Sequence, residues 1–235
     1  CWRSGSYTIR SDSWYLYTRS ADRDIRKIAQ GTNRAFLDNY ITHWATQDKT
    51  LGLPVDSKDR GTFALKNRKD DLPIYWGDIA ENYSNSAVAD LNKALFDYYI
   101  TGSRRAADIM ENFAKAVREN LTVEKKHWRA ITVVKHILQA YEFSWDPKLK
   151  DLIYEIVDKH IYDPESPVLL SKARPHRSST YKMPTDGDVL VELYELFGDR
   201  VFYNMAMATS KMTWDRNALN PPRDRSSGVV GAFLW

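Results

Sequence analysis

The sequence is a succession of amphipathic helical segments, and nothing else in it restricts the fold as strongly. In 87–100, Val88, Leu91, Leu95 and Tyr98 recur on one face, and 104–119 aligns Ala106, Met110, Phe113 and Val117. The segment 128–143 aligns Ile131, Val134, Leu138 and Tyr141, and 147–161 aligns Leu149, Ile153, Ile156 and His160. A further pair covers 187–197, with Leu190 and Leu193, and 200–213, with Phe202, Met205 and Met212. Near the start, 22–44 carries Ile25, Ile28, Thr32, Phe36 and Tyr40 on one face. Spacing of three and four residues marks helices that bury one stripe against a neighbour.

Two kinds of connection alternate between these segments. The short ones follow aromatic residues: Tyr98-Tyr99-Ile-Thr-Gly-Ser-Arg-Arg, Tyr141-Glu-Phe-Ser-Trp-Asp-Pro and Tyr194-Glu-Leu-Phe-Gly-Asp-Arg. Tyr15-Leu-Tyr17-Thr-Arg-Ser-Ala-Asp-Arg fits the same frame. Gly102 and Gly198 suit the left-handed conformation that ends a helix, and Pro147 suits the first turn of the next one. The long connections fall near 45–86, 120–127, 161–186 and 214–228. If the helices pair antiparallel through the short turns, the long connections emerge together at the other end. Hairpins repeating every ~40–50 residues build either a superhelical solenoid or a closed ring. The expected fold is therefore all-α, with repeated antiparallel helical hairpins over 13–235 and an extended or poorly ordered lead-in over 1–12.

Composition narrows the function classes. The formal charge of +3, from 34 basic and 31 acidic residues, is too slight to point to nucleic acid, whose partners concentrate a basic patch. No apolar run approaches the roughly 20 residues of a membrane helix. Cys1 is the only cysteine, which excludes an intrachain disulfide and a cysteine metal or redox site. No His-x-x-x-His or EF-hand spacing calls for a metal, and no phosphate loop, dinucleotide fingerprint or Gly-x-Ser-x-Gly elbow is present. Neither a metal nor a cofactor is expected. The chain starts without Met and ends on an apolar Gly-Val-Val-Gly-Ala-Phe-Leu-Trp. Both ends read as cuts in a longer polypeptide, whose remaining domains are then partners, and localisation stays open, with secretion or a periplasmic location compatible.

The frame Leu95-Phe-Asp-Tyr-Tyr-Ile-Thr-Gly-Ser-Arg-Arg-Ala-Ala-Asp-Ile resembles the inner-helix, Thr-Gly turn, outer-helix unit of (α/α) toroid polysaccharide lyases and glycoside hydrolases. The preceding Pro73-Ile-Tyr-Trp-Gly-Asp-Ile-Ala-Glu-Asn-Tyr-Ser-Asn-Ser is similar to the aromatic loop that opens an inner helix there. Within that group the chain looks closest to the helical domain of rhamnogalacturonan exolyase-like proteins. The resemblance implies a partial (α/α)6-type toroid and an acidic polysaccharide or oligosaccharide as partner.

The long connections carry chemistry without that resemblance. The first holds Tyr75, Trp76, Asp78, Glu81, Asn82, Tyr83 and Asn85, and the second His127, Trp128 and Arg129. The third reads Ala173-Arg-Pro-His-Arg-Ser-Ser-Thr-Tyr-Lys-Met-Pro-Thr-Asp-Gly-Asp188, and the fourth holds Trp214, Asp215, Arg216 and Asn217. Each combines a ring with charged or hydrogen-bonding groups, as loops on a rigid scaffold do at functional sites. A lyase acting on a uronate needs a base near the proton removed and donors for the developing enolate. Arg174, His176, Arg177, Tyr181 and Lys182 supply both, with His176 and Tyr181 as candidate base and acid. Asn82, Asn85 and Arg129 are candidates to neutralise the substrate carboxylate, and Trp76, Trp128 and Trp214 to line sugar subsites.

A hydrolase would instead pair two carboxylates, about 5–5.5 Å apart when retaining and about 6.5–9.5 Å when inverting. Asp78, Glu81, Asp186 and Asp188 are available. Ordinary roles compete: Thr185-x-x-Asp188 resembles a capping box, and Asp78 or Glu81 suits the positive end of the helix near 87. A helical-repeat scaffold, binding a protein through its long connections, is the non-enzymatic alternative. His136 and His160 sit inside helices, where packing is the common role, and His43 lies where it can meet a helix C-terminus.

Overall fold

The computed structural model describes residues 12–39, 41, 43, 74–75, 91–123, 130–162 and 187–219, which are mostly helical. In chain order the elements are α1 (Asp12–Ser20), α2 (Arg23–Asn39), β1 (Ile74–Tyr75), α3 (Asn92–Thr101), α4 (Arg104–Asn120) and β2 (Leu121–Thr122). They continue with α5 (Ala130–Ser144), α6 (Pro147–Ile156), a π-helical turn (Val157–Ile161), α7 (Gly187–Phe197) and α8 (Arg200–Leu219). The chain divides into two compact units, the first comprising Cys1–Lys125 and His136–Leu152, the second Lys126–Lys135 and Ile153–Trp235. The chain crosses from one to the other at 125–126, within α5 at 135–136 and again within α6 at 152–153.

Four short turns share one construction. Ala21, Gly102, Trp145 and Gly198 all have positive φ, and each donates its backbone N–H to the carbonyl of a tyrosine four residues earlier. These bonds are 2.7 Å to Tyr17, 2.8 Å to Tyr98, 2.6 Å to Tyr141 and 2.7 Å to Tyr194. A left-handed residue here satisfies a carbonyl that the helix end would leave open. The next residue then caps the following helix. Asp22 Oδ1 accepts from Asp24 N at 2.7 Å, Ser103 Oγ from Ala106 N at 3.4 Å, Asp146 Oδ1 from Lys148 N at 3.0 Å and Asp199 Oδ1 from Val201 N at 2.9 Å. Two of the four left-handed positions are thus not glycine, which the sequence pattern does not disclose.

In the first unit α1 packs on α2, α2 on α3 and α3 on α4. The stripe expected on α4 is fully realised, with Ala106, Met110, Phe113 and Val117 all buried. Each large apolar side chain so buried contributes about 1.5–3 kcal/mol. On α2 the buried stripe is Ala29, Asn33, Phe36 and Leu37, whereas Ile28 is 59 % exposed. The face is rotated by one residue from the expected Ile25–Ile28–Thr32–Phe36 stripe, because the apolar pattern gave polar Asn33 no weight. Lys93 of α3 is also buried, with Nζ 4.9 Å from the Phe36 ring centroid, a favourable cation–π distance.

Ring and ion-pair contacts join successive hairpins of this unit. Tyr15 of α1 meets Phe96 of α3 edge-on at 4.9 Å, and Tyr98 of α3 meets Phe143 of α5 at 5.3 Å. Asp38 near the end of α2 pairs with Arg105 just after the α3–α4 turn at 2.6 Å. Arg118 near the end of α4 pairs with Asp146 in the α5–α6 turn at 2.8 Å.

In the second unit α7 packs on α8, and Val189, Leu190, Leu193, Phe202 and Met205 are buried, as are Ile153 and Ile156. Tyr154 stacks against Phe197 and Phe202 at 5.7 and 5.5 Å and donates its hydroxyl to Asp199 Oδ2 at 3.5 Å. The α6 helix widens into the π turn, where Tyr162 N reaches Val157 O at 2.7 Å. Helix α8 runs to Leu219, which corrects the long connection expected from 214. No Gly or Pro interrupts Thr213–Leu219, and Pro221 disfavours helix only at the residue before it.

Candidate functional site

Most residues selected on sequence lie outside the described residues: His176, Arg177, Tyr181, Asn82, Trp76, Asp78, Glu81, Tyr83, Asn85, His127, Trp128, Arg129, Arg174 and Lys182. Trp214 and Arg216 fall on the last turns of α8 rather than in a loop, so two members of the expected loop set have helical backbones. The backbone immediately before Trp76 is placed. Strands β1 and β2 form a two-residue parallel bridge, with Ile74 opposite Leu121 and Tyr75 opposite Thr122. This bridge ties the first long connection to the start of the second, both within the first unit.

A cleft of about 350 Å³ is open between α2, α3 and the start of α4. From α2, Gln30, Arg34, Leu37 and Asp38 line it, a single helical stripe by their spacing. Asp97 and Thr101 line it from α3, one turn apart, and Ser103 and Arg105 from the turn and the first residues of α4. Leu37 is the one apolar side chain in this lining. The Asp38–Arg105 pair holds α2 against the α3–α4 turn.

Within the cleft, Asp97 is only 8 % exposed. The Thr101 hydroxyl lies 2.5 Å from the Asp97 carbonyl oxygen and 3.2 Å from its Oδ1. A hydroxyl has one proton to donate, and the shorter contact takes it. The Asp97 carboxylate therefore keeps acceptor capacity next to the cavity.

No protein-family model, curated protein or solved structure matches the chain.

Among the described residues, three other ionisable clusters are perturbed. The Arg118 guanidinium, aided by the Lys148 backbone N–H, holds the Asp146 carboxyl below the usual range, and the Asp146 and Glu119 carboxylates raise Arg118 in turn. Burial pushes the Glu142 carboxyl up. Tyr99 is raised by its own burial, then by the charge of Glu142 and by Tyr98, and its hydroxyl donates to the Glu142 carbonyl oxygen at 3.2 Å. In the second unit, burial and then Asp199 raise Tyr154.

Of the histidines outside the selected set, His136 and His160 are packed in the interior and His43 meets a helix end. His136 is buried with Nδ1 3.3 Å from Gln139 Oε1, and His160 is buried in the π turn. His43 Nε2 meets the Leu37 carbonyl oxygen in the last turn of α2, the helix-end contact expected of it. Among the described residues, no group of three or more His, Cys, Asp or Glu could hold a metal ion, and no helix is long and apolar enough to cross a membrane.

Sequence reasoning missed the cleft. Half of its lining residues lie on α2 and half within the 95–109 frame, and no spacing in the sequence links the two groups. Arg34 and Asp97 each read as ordinary solvated helix positions, and only the packing of α2 across α3 brings them to one cavity.

Proposed function

We infer that this chain is the helical-hairpin part of a polysaccharide-degrading enzyme, a partial (α/α) toroid that cleaves a uronic-acid-containing polymer by β-elimination. The observation that carries the reading is the fourfold recurrence of one turn, a tyrosine carbonyl closed by a left-handed residue and followed by an Asp or Ser cap. Recurrence of a turn is what a hairpin repeat requires, since each hairpin must leave its neighbour in the same way. Support comes from the ties between one hairpin's second helix and the next turn: Asp38 to Arg105, Arg118 to Asp146, and Tyr154 to Asp199. The β1–β2 bridge adds a second support, since it joins two of the connections assigned to the substrate side.

In this reading Arg and Asn side chains neutralise the uronate carboxylate, which makes the neighbouring C–H acidic enough to lose its proton. His176 removes that proton and Tyr181 protonates the departing glycosidic oxygen, with Arg177 and Asn82 stabilising the enolate. Trp76 and Trp128 offer flat faces to sugar rings.

The test is incubation of the chain with a panel of polyuronides, following ultraviolet absorbance and new reducing ends in parallel. Elimination produces an unsaturated uronide that absorbs, and His176→Ala or Tyr181→Phe lowers its rate by about 10²–10⁴-fold. Reducing ends without absorbance would transfer the case to hydrolysis by a pair from Asp78, Glu81, Asp186 and Asp188. Binding of a protein partner with no turnover of any sugar would favour the scaffold reading.

A further inference from the structure

We propose that the α2–α3–α4 cleft is a binding site for a small hydroxylated carboxylate, a sugar acid unit, held between Arg34 and Asp97. None of the residues assigned to elimination lines this cleft, so the proposal stands on the cleft's own groups.

Its volume of about 350 Å³ lies near the lower end of ligand pockets, which run from about 300 to 1,000 Å³. The charges in it are unequally committed. Asp38 and Arg105 neutralise each other at 2.6 Å. Among the described residues Arg34 forms no ion pair, and its guanidinium presents a fork of donors that matches a carboxylate. The Asp97 carboxylate is nearly buried, and the one hydroxyl beside it is drawn to the Asp97 carbonyl. A buried carboxylate with unused lone pairs gains from donors brought by a ligand.

The ligand must therefore accept, as an anion, at Arg34 and donate at Asp97. A carboxylate and hydroxyl groups on one small molecule meet both demands. The remaining lining selects further. Gln30, Thr101 and Ser103 offer donors and acceptors around the perimeter, and Leu37 alone is apolar. Hydroxyl groups, which both donate and accept, match such a wall on several sides at once. An α-amino acid would satisfy Arg34 and Asp97 but turn its side chain toward this polar perimeter, and a neutral sugar would leave Arg34 without its anion.

The experiment is calorimetric titration of the intact chain with D-galacturonate, D-galactose and glycine, repeated on Arg34→Gln and Asp97→Asn. Saturable binding of galacturonate is expected, with galactose at least about tenfold weaker, the effect of losing one charge-assisted hydrogen bond, and glycine weaker because it brings no hydroxyl groups to Gln30, Thr101 and Ser103. Each substitution weakens galacturonate by about the same factor. Far-ultraviolet circular dichroism verifies that each variant keeps its helix content, and Gln30→Ala serves as a second reporter should Asp97→Asn fail to fold. Equal binding of galactose, tighter binding of glycine, unchanged binding in the variants, or no binding at all would overturn the proposal. The readout is binding, so a chain that fails to eliminate polyuronides can still pass this test, and an active one can fail it.

Discussion

Asp146 joins two tasks in one carboxylate: Oδ1 caps α6 and Oδ2 accepts from Arg118 at 2.8 Å. Its lowered pKa means that the folded state holds the charged form more tightly than the unfolded chain does. That stabilisation is present above the ordinary carboxyl range and is lost as pH falls through the lowered value, a window below about pH 4. Asp146→Asn keeps a capping oxygen and removes the charge, so it should lower stability at pH 7 by about 0.5–1 kcal/mol. In urea titrations the difference from the parent should shrink as the window is crossed. A difference that persists unchanged to pH 2 would assign the loss to the cap instead. Glu142 has the opposite sign, because burial raises its pKa. The folded state then binds the proton more readily than the unfolded chain, and stability falls as pH rises through a window that opens above about pH 4. Glu142→Gln should therefore raise the urea midpoint at pH 7 and leave it nearly unchanged at pH 4. A lower midpoint at pH 7 would mean that its charge is used.

The helices and their turns were largely readable from apolar spacing, since 3.6-residue periodicity leaves a direct mark on sequence. The stripe of α4, the start of α7 at Gly187 and the glycine stops at Gly102 and Gly198 agree with expectation. The face of α2 was misjudged where Asn33 is buried, and the end of α8 where composition turned polar without a helix breaker. Least visible were Ala21 and Trp145, because an L side chain at positive φ is disfavoured by about 1–2 kcal/mol and leaves no glycine to mark it. Ala21→Gly should relieve part of that strain and stabilise the chain by about 0.5–1 kcal/mol, a rise in Tm of roughly 1–4 °C. Trp145→Gly gains the same backbone relief but gives up the Tyr141 ring contact at 5.4 Å, worth about 0.5–1.5 kcal/mol. Its Tm should stay near that of the parent. Calorimetric scans of the two variants decide the matter, and a lower Tm for Ala21→Gly would show that the left-handed turn is not under strain.

For the chain taken entire, the candidate site divided into a part that sequence displays and a part that it hides. Aromatic and basic residues concentrate visibly in the long connections, whereas the α2–α3–α4 cleft exists only through packing. Ionisable residues on separate helices carry no mutual spacing, so no pattern in the chain announces that Arg34 and Asp97 line one cavity. The two compact units show a related limit, because two of the three chain boundaries between them fall inside helices. These two lie inside α5 at residues 135–136 and inside α6 at 152–153, where Val134, His136, Ile137 and Ile153 are buried. Limited proteolysis of the native chain should spare both crossings, and early cuts at either would contradict the helical continuity.

The four turns also bear on the order of folding. Each joins two helices across two residues, so closing a hairpin asks for little loop entropy and uses contacts near in sequence. Gly102 and Gly198 enter positive φ freely, whereas Ala21 and Trp145 must first be driven there by the contacts their hairpins form. In pulse-labelled hydrogen exchange, amides of α3–α4 and α7–α8 should become protected ahead of those of α1–α2, and Ala21→Gly should shorten that lag. The residue at one turn position would then act as a clock for its hairpin, with glycine setting the early time and a side chain the late one.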